Sequence, residues 1–574
     1  MSNGKTFYLT LCIIVVLVIS ACRGQTVATP TQPPPTSVAA TATAVATPAP
    51  PPLASLIDNE LLGASGVTAA CDHPPEAQLT CTDEATKPVL AVGVTASTYA
   101  RWSLRLDRAA TALTGDETLY ITAQQTGKLT PNLYLVESGG RRVAVALARF
   151  GLREGSNQLM IPLREIRDEA GNWPAFADVR ELQLVFEWAD MTGELALQSV
   201  QFRAAWQESI QLAARSQDLA AALETEAGFT AVAIADGLRE VTQLTFDPQG
   251  DLWASLQNGR VWHYQDTNSD GIYDTRLLYA TGFEEVVGLL YDPSDGAIWV
   301  GGRGKLYRTA DVDGNGVADL RELRIDGLPW GRHQNNGLAW NPDPDPFTGE
   351  TGLHWIYFGL GSTEDLEVGG DLNAAVLRFP RTGVDQTALE VVSRGNRNPY
   401  AVLWAPVPVD LAQPTGPTTW QLFASENGPD FNDAPDEVNH IRWQHDYGFP
   451  TQFGPVAADA VDGEPHSGPV YPVTPHASAN GLVYIANPAW PPAYRTLYVS
   501  LFGQVFSSEI VGHTIERISL TAVETATGPT YRGEPTTFVA GLDRPLPMTT
   551  APDGNLVVGD YATGVIYKVR WNNQ

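Results

Sequence analysis

The stretch FDPQGDLW at residues 246–253 returns in altered form as YDPSDGAIW at residues 291–299. In both copies, a turn containing Pro leads into a short apolar strand that carries a Trp. Related turn prolines stand at positions 248, 293, 342, 406, 488 and 552, with spacings of 45, 49, 64, 82 and 64 residues. A blade of four antiparallel strands needs about 40–50 residues, so each turn marks one blade and the excess is loop. The repeat predicts an all-β, six-bladed β-propeller over residues 228–574, in which residues 229–234 complete the last blade.

A second β-rich region precedes the repeat at residues 56–206, where short apolar strands alternate with turn residues. Its pattern resembles the galactose-binding-type jelly roll of carbohydrate-binding modules, which implies a β-sandwich that binds carbohydrate. A sandwich that only spaces the propeller is the alternative. Residues 207–227 are rich in Ala and Leu and contain no Gly or Pro, which predicts a helical connector between the two domains.

Residues 1–21 predict an export signal. Lys5 is followed by an apolar run of about a dozen residues, which is too short for a membrane-spanning helix of roughly 20. The run ends in ISAC at residues 19–22, which resembles a bacterial lipobox and predicts a lipid on Cys22 that holds the protein at the outer face of the cell membrane. An ordinary signal peptide is the alternative. Residues 22–55, rich in Pro, Thr and Ala, predict a disordered tether.

Cysteine usage and charge limit the classes of function. With Cys12 in the signal and Cys22 carrying lipid, Cys71 and Cys81 are predicted to form a disulfide, as suits an exported domain. The formal net charge of −29 and the pI near 4.6 argue against nucleic-acid binding, which needs basic patches. Acidic side chains offer the oxygen ligands that calcium prefers, so calcium is the expected ion.

Two acidic loops predict calcium sites. The first follows the pattern D-x-[DN]-x-[DN]-G-x5-E on flanks that read as strands, so it predicts a calcium loop on a β-hairpin. Its candidate ligands are Asp311, Asp313, Asn315 and Glu322. The second loop lacks the terminal Glu and is expected to bind more weakly, through Asp266, Asn268, Asp270 and Asp274. Turns that bind no ion are the alternative for both loops.

Three further segments share a resemblance: GLPWGRHQNNGL at 327–338, GNRNPY at 395–400 with ASENGPD at 424–430, and DEVN at 436–439 with DYGFP at 446–450. Together with GLDRP at 541–545, they resemble the soluble glucose/sorbosone (aldose) dehydrogenases, which are six-bladed propellers that use pyrroloquinoline quinone (PQQ) and Ca²⁺. The resemblance covers about residues 228–572 and implies an oxidoreductase acting on sugars.

The resemblance implies roles for six residues. His333 matches the base that removes a proton from the sugar hydroxyl, a task suited to imidazole. Arg397 and Asn398 match a pair that contacts the quinone oxygens and supports catalysis. Gly428 and Pro429 match backbone carbonyls that hold Ca²⁺ beside the cofactor, and Arg544 matches an arginine that pairs with a cofactor carboxylate.

Four positions depart from the family pattern. Arg332 replaces the Asp before the catalytic His, and the pair Glu284 and Glu285 stands where a Gln is expected. Phe502 lies where a Lys binds a cofactor carboxylate, and Leu542 replaces a second arginine. Each lost charge-assisted hydrogen bond is worth about 1.5–3 kcal/mol, so weaker PQQ binding is expected.

Two functional hypotheses follow. In the first, a surface lipoprotein oxidises an aldose or related sugar with PQQ and Ca²⁺, held near polysaccharide by its sandwich and near membrane electron acceptors by its lipid. In the second, the propeller is non-catalytic and binds glycan or protein at the cell surface. A propeller hydrolase of the lactonase kind needs a channel metal held by carboxylates, and the sequence shows no obvious set for it.

Overall fold

A computed structural model describes residues 60–64, 67–81, 87–106, 113–115, 117–168, 172–203, 207–383, 386–430, 433–455, 466–504 and 511–573. The predicted signal, Cys22 and the tether to residue 55 lie outside these residues. All described residues belong to one compact unit, Leu53–Gln574. Within the described part of the chain, no helix is long and apolar enough to cross a membrane.

The first domain is a sandwich of two five-stranded antiparallel sheets, ordered β1-β4-β9-β6-β7 and β2-β3-β10-β5-β8. Its strands are β1 (Val67–Asp72), β2 (Gln78–Cys81), β3 (Val89–Val94), β4 (Tyr99–Leu106), β5 (Thr118–Lys128), β6 (Asn132–Glu137), β7 (Arg142–Ala146), β8 (Gly155–Pro162), β9 (Val179–Glu187) and β10 (Met191–Arg203). Alternate residues of these strands, such as Leu182, Leu184 and Phe186, face one shared apolar core. Cys71 and Cys81 are joined by a disulfide, as predicted.

The connector at residues 207–227 differs from the predicted helix. Its α-helix, α1, is confined to Ser216–Ala220, and short strands stand at β11 (Gln207–Ser209) and β12 (Glu224–Thr225). β11 pairs with a strand at residues 275–280 and β12 with a strand at residues 528–540. Unpaired sheet edges recruit backbone partners, and here that tertiary pairing overrides the helix propensity of Ala and Leu.

The propeller contains six separate antiparallel sheets. One strand precedes the repeat: β13 (Phe229–Ala235). The first three blades are β14 (Val241–Phe246), β15 (Leu252–Leu256), β16 (Val261–Gln265), β17 (Thr275–Ala280); β18 (Gly288–Tyr291), β19 (Ile298–Gly302), β20 (Lys305–Ala310), β21 (Leu320–Ile325); and β22 (Asn335–Trp340), β23 (Trp355–Leu360), β24 (Ala375–Pro380), β25 (Glu390–Arg394). The last three are β26 (Pro399–Pro408), β27 (Thr418–Glu426), β28 (Asp436–Ile441), β29 (Tyr471–Val473); β30 (Ala479–Tyr484), β31 (Leu497–Leu501), β32 (Thr514–Thr525), β33 (Gly528–Ala540); and β34 (Pro545–Thr550), β35 (Leu556–Asp560), β36 (Ile566–Trp571). The described 3-10 turns are Leu147–Phe150, Leu163–Glu165, Phe176–Asp178, Ala213–Arg215, Gln386–Ala388 and Pro492–Tyr494.

The six inner strands close into a ring. β14, β18, β22, β26, β30 and β34 contact one another in that order, and β34 contacts β14 again. β13 pairs with β36 and completes the sixth blade, as predicted. Phe229 at the start of β13 packs against Trp490, Tyr494, Phe538 and Trp571, with ring centroids 4.6–4.9 Å apart. The six-bladed all-β fold predicted from the turn spacing is therefore confirmed.

The repeated Asp-Pro turn has a structural cause. The indole nitrogen of Trp253 donates to Asp247 Oδ2 at 3.0 Å, and that of Trp299 donates to Asp292 Oδ2 at 3.2 Å. Each Asp thus ties the turn after an inner strand to the start of the next strand. Five of the six turn prolines lie in this connection, whereas Pro406 lies inside β26 because that hairpin is longer.

The sandwich contacts the outer strands of the first two blades. Arg321 at the start of β21 forms an ion pair with Glu165 at 2.6 Å. Arg260 donates to the carbonyl of Gln158 at 2.8 Å. These polar contacts fix the sandwich beside the first two blades, and Arg153 of the sandwich also approaches Glu240, at the entry to the inner strand β14, at 3.9 Å.

Antiparallel strands reverse direction at each turn, so every blade divides its connections between two faces. The connections that enter the inner strands, and the turns between second and third strands, lie on one face, which we call the channel mouth. The turns after the inner strands and the loops between third and fourth strands lie on the opposite face. Position along the blade therefore decides which predicted motifs can meet.

Candidate active site at the channel mouth

The motif residues predicted at the site lie on the mouth face. His333 precedes β22 by two residues, Asn398 directly precedes β26, and Arg544 directly precedes β34. β22 and β34 are three places apart in a ring of six, so His333 and Arg544 lie on opposite sides of the mouth. Asn398 lies on the blade beside His333. The arrangement leaves the width of the mouth between an imidazole and a guanidinium.

His333 and Asn398 approach each other because Gly361 has no side chain. A Cβ placed on Gly361 would stand 2.7 Å from Asn398 Oδ1 and would also collide with the Cβ of His333. Asn398 Oδ1 accepts a hydrogen bond from Asn336 Nδ2 at 2.9 Å. Gly361 thus permits the close packing that sets the imidazole beside the amide, a common use of glycine near functional groups.

Ser362 orients the imidazole of His333. His333 Nδ1 lies 3.0 Å from the Ser362 carbonyl oxygen and 3.1 Å from Ser362 Oγ. Ser362 Oγ donates its own proton to the carbonyl of Glu364 at 2.7 Å. Because the Ser362 carbonyl can only accept, this geometry favours a proton on Nδ1 and makes Nε2 the acceptor nitrogen.

The surroundings keep His333 uncharged. Burial lowers the pKa of His333 to about 3, and the positive charges of Arg397 and Arg332 add to the effect, while Asp365 opposes it. A lowered histidine pKa means that the neutral form persists at every pH above that value. The imidazole can therefore accept a proton throughout the physiological range, although its low pKa makes it a weak base.

Arg397 is held by the protein itself. Its side chain is 1% exposed and forms an ion pair with the Asp365 carboxylate. Its Nε donates to the Asp365 carbonyl at 2.9 Å, and a terminal nitrogen donates to the Asn427 carbonyl at 2.9 Å. The predicted contact between Arg397 and a quinone stays a prediction, since these donors already have partners.

Asp365 was not singled out in the sequence. It also lies 3.6 Å from Arg332, which forms a second ion pair with Asp430. Arg332 stands where the resemblance predicts an acid, and it lies near Asp365 and Asp430 from two other loops. A charged residue 32 positions from Arg397 has no motif of its own, so only the fold reveals this partner.

The loop carrying Gly428 and Pro429 is tied down by Asp436. The Gly428 N–H donates to Asp436 Oδ1 at 2.7 Å, and the Ser478 N–H donates to Asp436 Oδ2 at 2.6 Å. Burial raises the pKa of Asp436 to about 6. Both Gly428 and Pro429 are buried at this end of β27. Calcium binding by their carbonyl groups stays a prediction.

Two glutamates lie buried beneath this loop. Asn439 Nδ2 donates to Glu426 Oε2 and to Glu437 Oε2, each at 3.0 Å. Burial raises the pKa of Glu437 to about 7 and raises that of Glu426 as well. Glu437 Oε1 also accepts from the Gly454 N–H at 2.6 Å. The acidic motif at 436–439 thus organises loops around the mouth.

Arg544 lies at the edge of a cavity of about 270 Å³. One terminal nitrogen of Arg544 donates to the carbonyls of Gly503 at 3.0 Å and Gln504 at 3.2 Å, and its guanidinium lies 5.1 Å from the Phe502 ring. Phe502 therefore forms a wall at the position where the sequence resemblance predicts a lysine. Leu542 is buried in the apolar core and does not line this cavity.

The first calcium loop brings together three aspartates. Carboxylate oxygens of Asp311, Asp313 and Asp319 lie within 4.8 Å of one another. The predicted ligand Glu322 lies on β21 opposite Arg308 and pairs with it at 3.2 Å. In an EF-hand a helix follows the loop and brings position 12 back to the ion, whereas here a strand starting at Leu320 carries it away. Asp319, the last loop residue, is the third acid of this cluster, whereas the EF-hand pattern predicts Glu322 as a ligand.

The second loop has the same plan. Asp266 Oδ2 accepts from the Gly271 N–H at 2.8 Å, and Asn268 Oδ1 accepts from the Asp270 N–H at 2.9 Å. Asp274 holds the position that corresponds to Asp319, and it accepts from Thr267 Oγ1 at 2.8 Å. The pattern D-x-[DN]-x-[DN]-G-x-x-D, shared by both loops, is the signal that would have identified Asp319 from sequence. Both loops lie on the face opposite the mouth.

We expect calcium to raise the melting temperature of the protein, because an ion that binds only the folded loops stabilises them by mass action. An Asp319→Ala variant should lose one bound ion per chain in calorimetric titration of chelator-treated protein. A Glu322→Gln variant should keep it. Loss of the ion in Glu322→Gln with retention in Asp319→Ala would contradict the assignment.

The family model "Domain of unknown function (DUF7133)" matches residues 216–574, and no curated protein sequence matches the chain. Similar solved structures include the holo pyranose dehydrogenase PQQ domain from Coprinopsis cinerea, at 13% identity over 61% of this chain and 97% of that chain, with a TM-score of 0.48. The calcium structure of the Trichoderma reesei Carbohydrate-Active Enzymes Family AA12 protein shares 14% identity over 61% of this chain and 97% of that chain, with a TM-score of 0.48. The PQQ-bound aldose sugar dehydrogenase from Streptomyces coelicolor shares 19% identity over 60% of this chain and 100% of that chain, with a TM-score of 0.43. Because the family model covers more than half of the chain, from within the connector to the end of the propeller, the chain belongs to the DUF7133 family.

Proposed function

We propose that this protein is an oxidoreductase that oxidises an aldose or related sugar at the channel mouth, with PQQ as the electron acceptor and calcium as a second cofactor. The observation that carries the proposal is the position of His333. Its imidazole is neutral, its Nδ1 is engaged by Ser362, and it stands across the mouth from a cavity lined by arginine and aromatic side chains. A proton acceptor and an anion-binding cavity on one face suit the removal of a proton and a hydride from a hydroxyl-bearing carbon.

Residues on two opposite sides of the channel mouth fit PQQ. Arg544 and the rings of Phe502 and Tyr561 line the cavity and suit a planar aromatic ligand that carries carboxylates. His333 and Asn398 lie beside each other on the opposite side of the mouth. Arg397 fits less well, because its donors are engaged by Asp365 and Asn427.

When bound, PQQ would supply a two-electron acceptor for the hydride of the sugar carbon. His333 Nε2 would take the hydroxyl proton, so that the C–H and O–H bonds break while a C=O bond forms. Arg397 would act on His333 without touching the ligand. Its positive charge lowers the pKa of His333, and its backbone carbonyl accepts a hydrogen bond from the Ser362 N–H at 2.7 Å. Ser362 would hold the ring through Nδ1 during the transfer.

The test uses purified protein comprising residues 56–574, to which PQQ and excess Ca²⁺ are added while dye reduction is followed across a panel of aldoses. We expect activity that falls by about a hundredfold or more in His333→Ala, the range typical of losing a general base. His354→Ala is the matched control, since His354 is exposed and lies between β22 and β23 on the opposite face. Failure of PQQ to bind or to shift the melting temperature at high concentration would refute the proposal.

One observation favours a second candidate, a non-catalytic propeller that binds glycan or protein. Arg332 places a positive charge near His333 and helps to keep its pKa near 3, which weakens the imidazole as a base. An Arg332→Asp variant should raise that pKa, measured by NMR of labelled histidines, and should raise activity if the site is catalytic. A higher pKa without any dye reduction in the presence of PQQ would support the binding protein.

We further propose that the protein is held at the outer face of the cell membrane by lipid on Cys22, from where electrons could pass to a membrane acceptor. The signal at residues 1–21 and the tether at residues 22–55 support this location. The full-length protein should accompany membranes on cell fractionation, and Cys22→Ser should release it or leave it unprocessed. A Cys22→Ser variant that is processed and retained in the membrane fraction like the wild type would argue against the anchor.

The sandwich supports a role in binding polysaccharide. Trp188, in the turn after β9, is 76% exposed and has a left-handed backbone with φ of 67°. Tyr99 is 40% exposed and lies opposite Glu187 in the neighbouring strand. Holding a bulky residue in that conformation costs on the order of 1–3 kcal/mol, a cost often associated with ligand sites.

We expect Trp188→Ala to abolish retardation of the protein in native gels that contain soluble plant or microbial polysaccharides, because the sugar ring loses its stacking surface. Trp420→Ala is the control, since Trp420 is 40% exposed on β27 of the propeller. Unchanged retardation in Trp188→Ala, or no retardation of the wild type in any polysaccharide, would leave the sandwich as a spacer.

A further inference from the structure

The cavity beside Arg544 is built from three blades. Arg239 and Glu240 enter β14 of the first blade, and Arg544 enters β34 of the sixth. Tyr561 and Ala562 form the turn between β35 and β36, and Phe502 follows β31 of the fifth blade. Backbone hydrogen bonds of 2.8 Å from Tyr561 N–H to the Arg544 carbonyl, and from Glu240 N–H to the Tyr561 carbonyl, fix these segments against one another.

Two arginines, Arg239 and Arg544, line this cavity, and only Arg544 was recognised from the sequence. Arg544 is held in place by the carbonyls of the loop after β31. Arg239 is exposed, and among the described residues no carboxylate lies within ion-pair distance of its guanidinium. An exposed cation beside a second, anchored cation is a charge arrangement that favours a ligand with more than one carboxylate.

The remaining walls are aromatic. The rings of Phe502 and Tyr561 meet edge to face, with centroids 5.5 Å apart and planes inclined at 72°. The guanidinium of Arg544 lies over Phe502. A cavity with aromatic walls and arginine side chains suits a flat, conjugated ligand. The rings would cover the apolar surface of the ligand, and the guanidinium groups would bind its anionic edge.

The cavity also bears on two positions at which the sequence departs from the dehydrogenase pattern. Phe502 and Leu542 stand where the family has cations, and Leu542 points into the apolar core instead of the cavity. Arg239 comes from a segment that matches no family motif, more than 300 residues before Arg544. We propose that the Arg239–Arg544 cavity binds the carboxylate edge of a planar aromatic polycarboxylate, and that Arg239 replaces the missing cations. The choice of PQQ as the ligand rests on the proposed function.

Glu240 lines the same cavity, and its substitution should change ligand affinity in the direction opposite to that of the arginine variants. Its carboxylate lies 3.9 Å from Arg153 of the sandwich, whose side chain is mostly exposed, so its negative charge is only partly offset. A carboxylate in an anion site opposes the ligand. Glu240→Gln should therefore tighten binding, whereas removal of either arginine should weaken it.

The experiment measures binding alone, without sugar or dye. PQQ in the presence of Ca²⁺, and separately pyridine-2,6-dicarboxylate as a simple aromatic dicarboxylate, are titrated into residues 56–574 and followed by calorimetry at fixed ionic strength. Arg239→Ala and Arg544→Ala should each weaken PQQ binding by about tenfold to a hundredfold. Arg570→Ala is the matched control, an exposed arginine on β36 away from the cavity. Melting curves confirm that each variant is folded.

The outcomes separate the two proposals. Weaker binding in both arginine variants with tighter binding in Glu240→Gln supports the cavity. Loss in Arg544→Ala alone, with Arg239→Ala equal to the wild type, overturns the role of Arg239 and leaves the proposed function intact. Binding of the dicarboxylate through both arginines without binding of PQQ supports the cavity and refutes the cofactor. Binding of neither compound overturns both.

Discussion

The candidate site exists only because the ring of inner strands is closed. No single blade carries the site: His333 belongs to the third blade, Asn398 to the fourth and Arg544 to the sixth. Their mutual positions are set by the order in which the inner strands contact one another, a ring that closes where β34 meets β14, while β13 completes the sixth blade. A propeller therefore converts distant sequence positions into neighbours at one mouth, while each blade remains a local hairpin structure.

Charge distribution at the mouth follows a consistent plan. Around His333 the cations Arg332 and Arg397 are matched by Asp365 and Asp430, so the imidazole lies among paired charges. Across the mouth, Arg239 and Arg544 face a cavity whose acid, Glu240, lies near an arginine of the sandwich. One side is thus internally balanced and the other is left with positive charge, although the chain as a whole is strongly acidic.

The first two blades could be predicted from sequence because their Asp-Pro turns are each tied to a Trp by a local hydrogen bond, and the related Pro turns mark the other four blades. The connector could not be predicted, since its Ala and Leu content favours a helix until the edges of β17 and β33 supply backbone partners. Asp319 was missed because the EF-hand pattern assumes a following helix. Arg239 and Asp365 carry no motif, and only the closed ring brings them to the site.

Completion of the sixth blade also has a consequence for how the chain reaches its native state. Thr230 and Asn572, which meet across the β13–β36 pair, are 342 positions apart. The entropy of closing so long a loop rises only slowly with length, but such non-local pairing slows folding. Until β36 is made, the edge of β13 is an open template for any extended chain. The time between synthesis of the two strands is therefore the interval in which this protein is most exposed to misassociation.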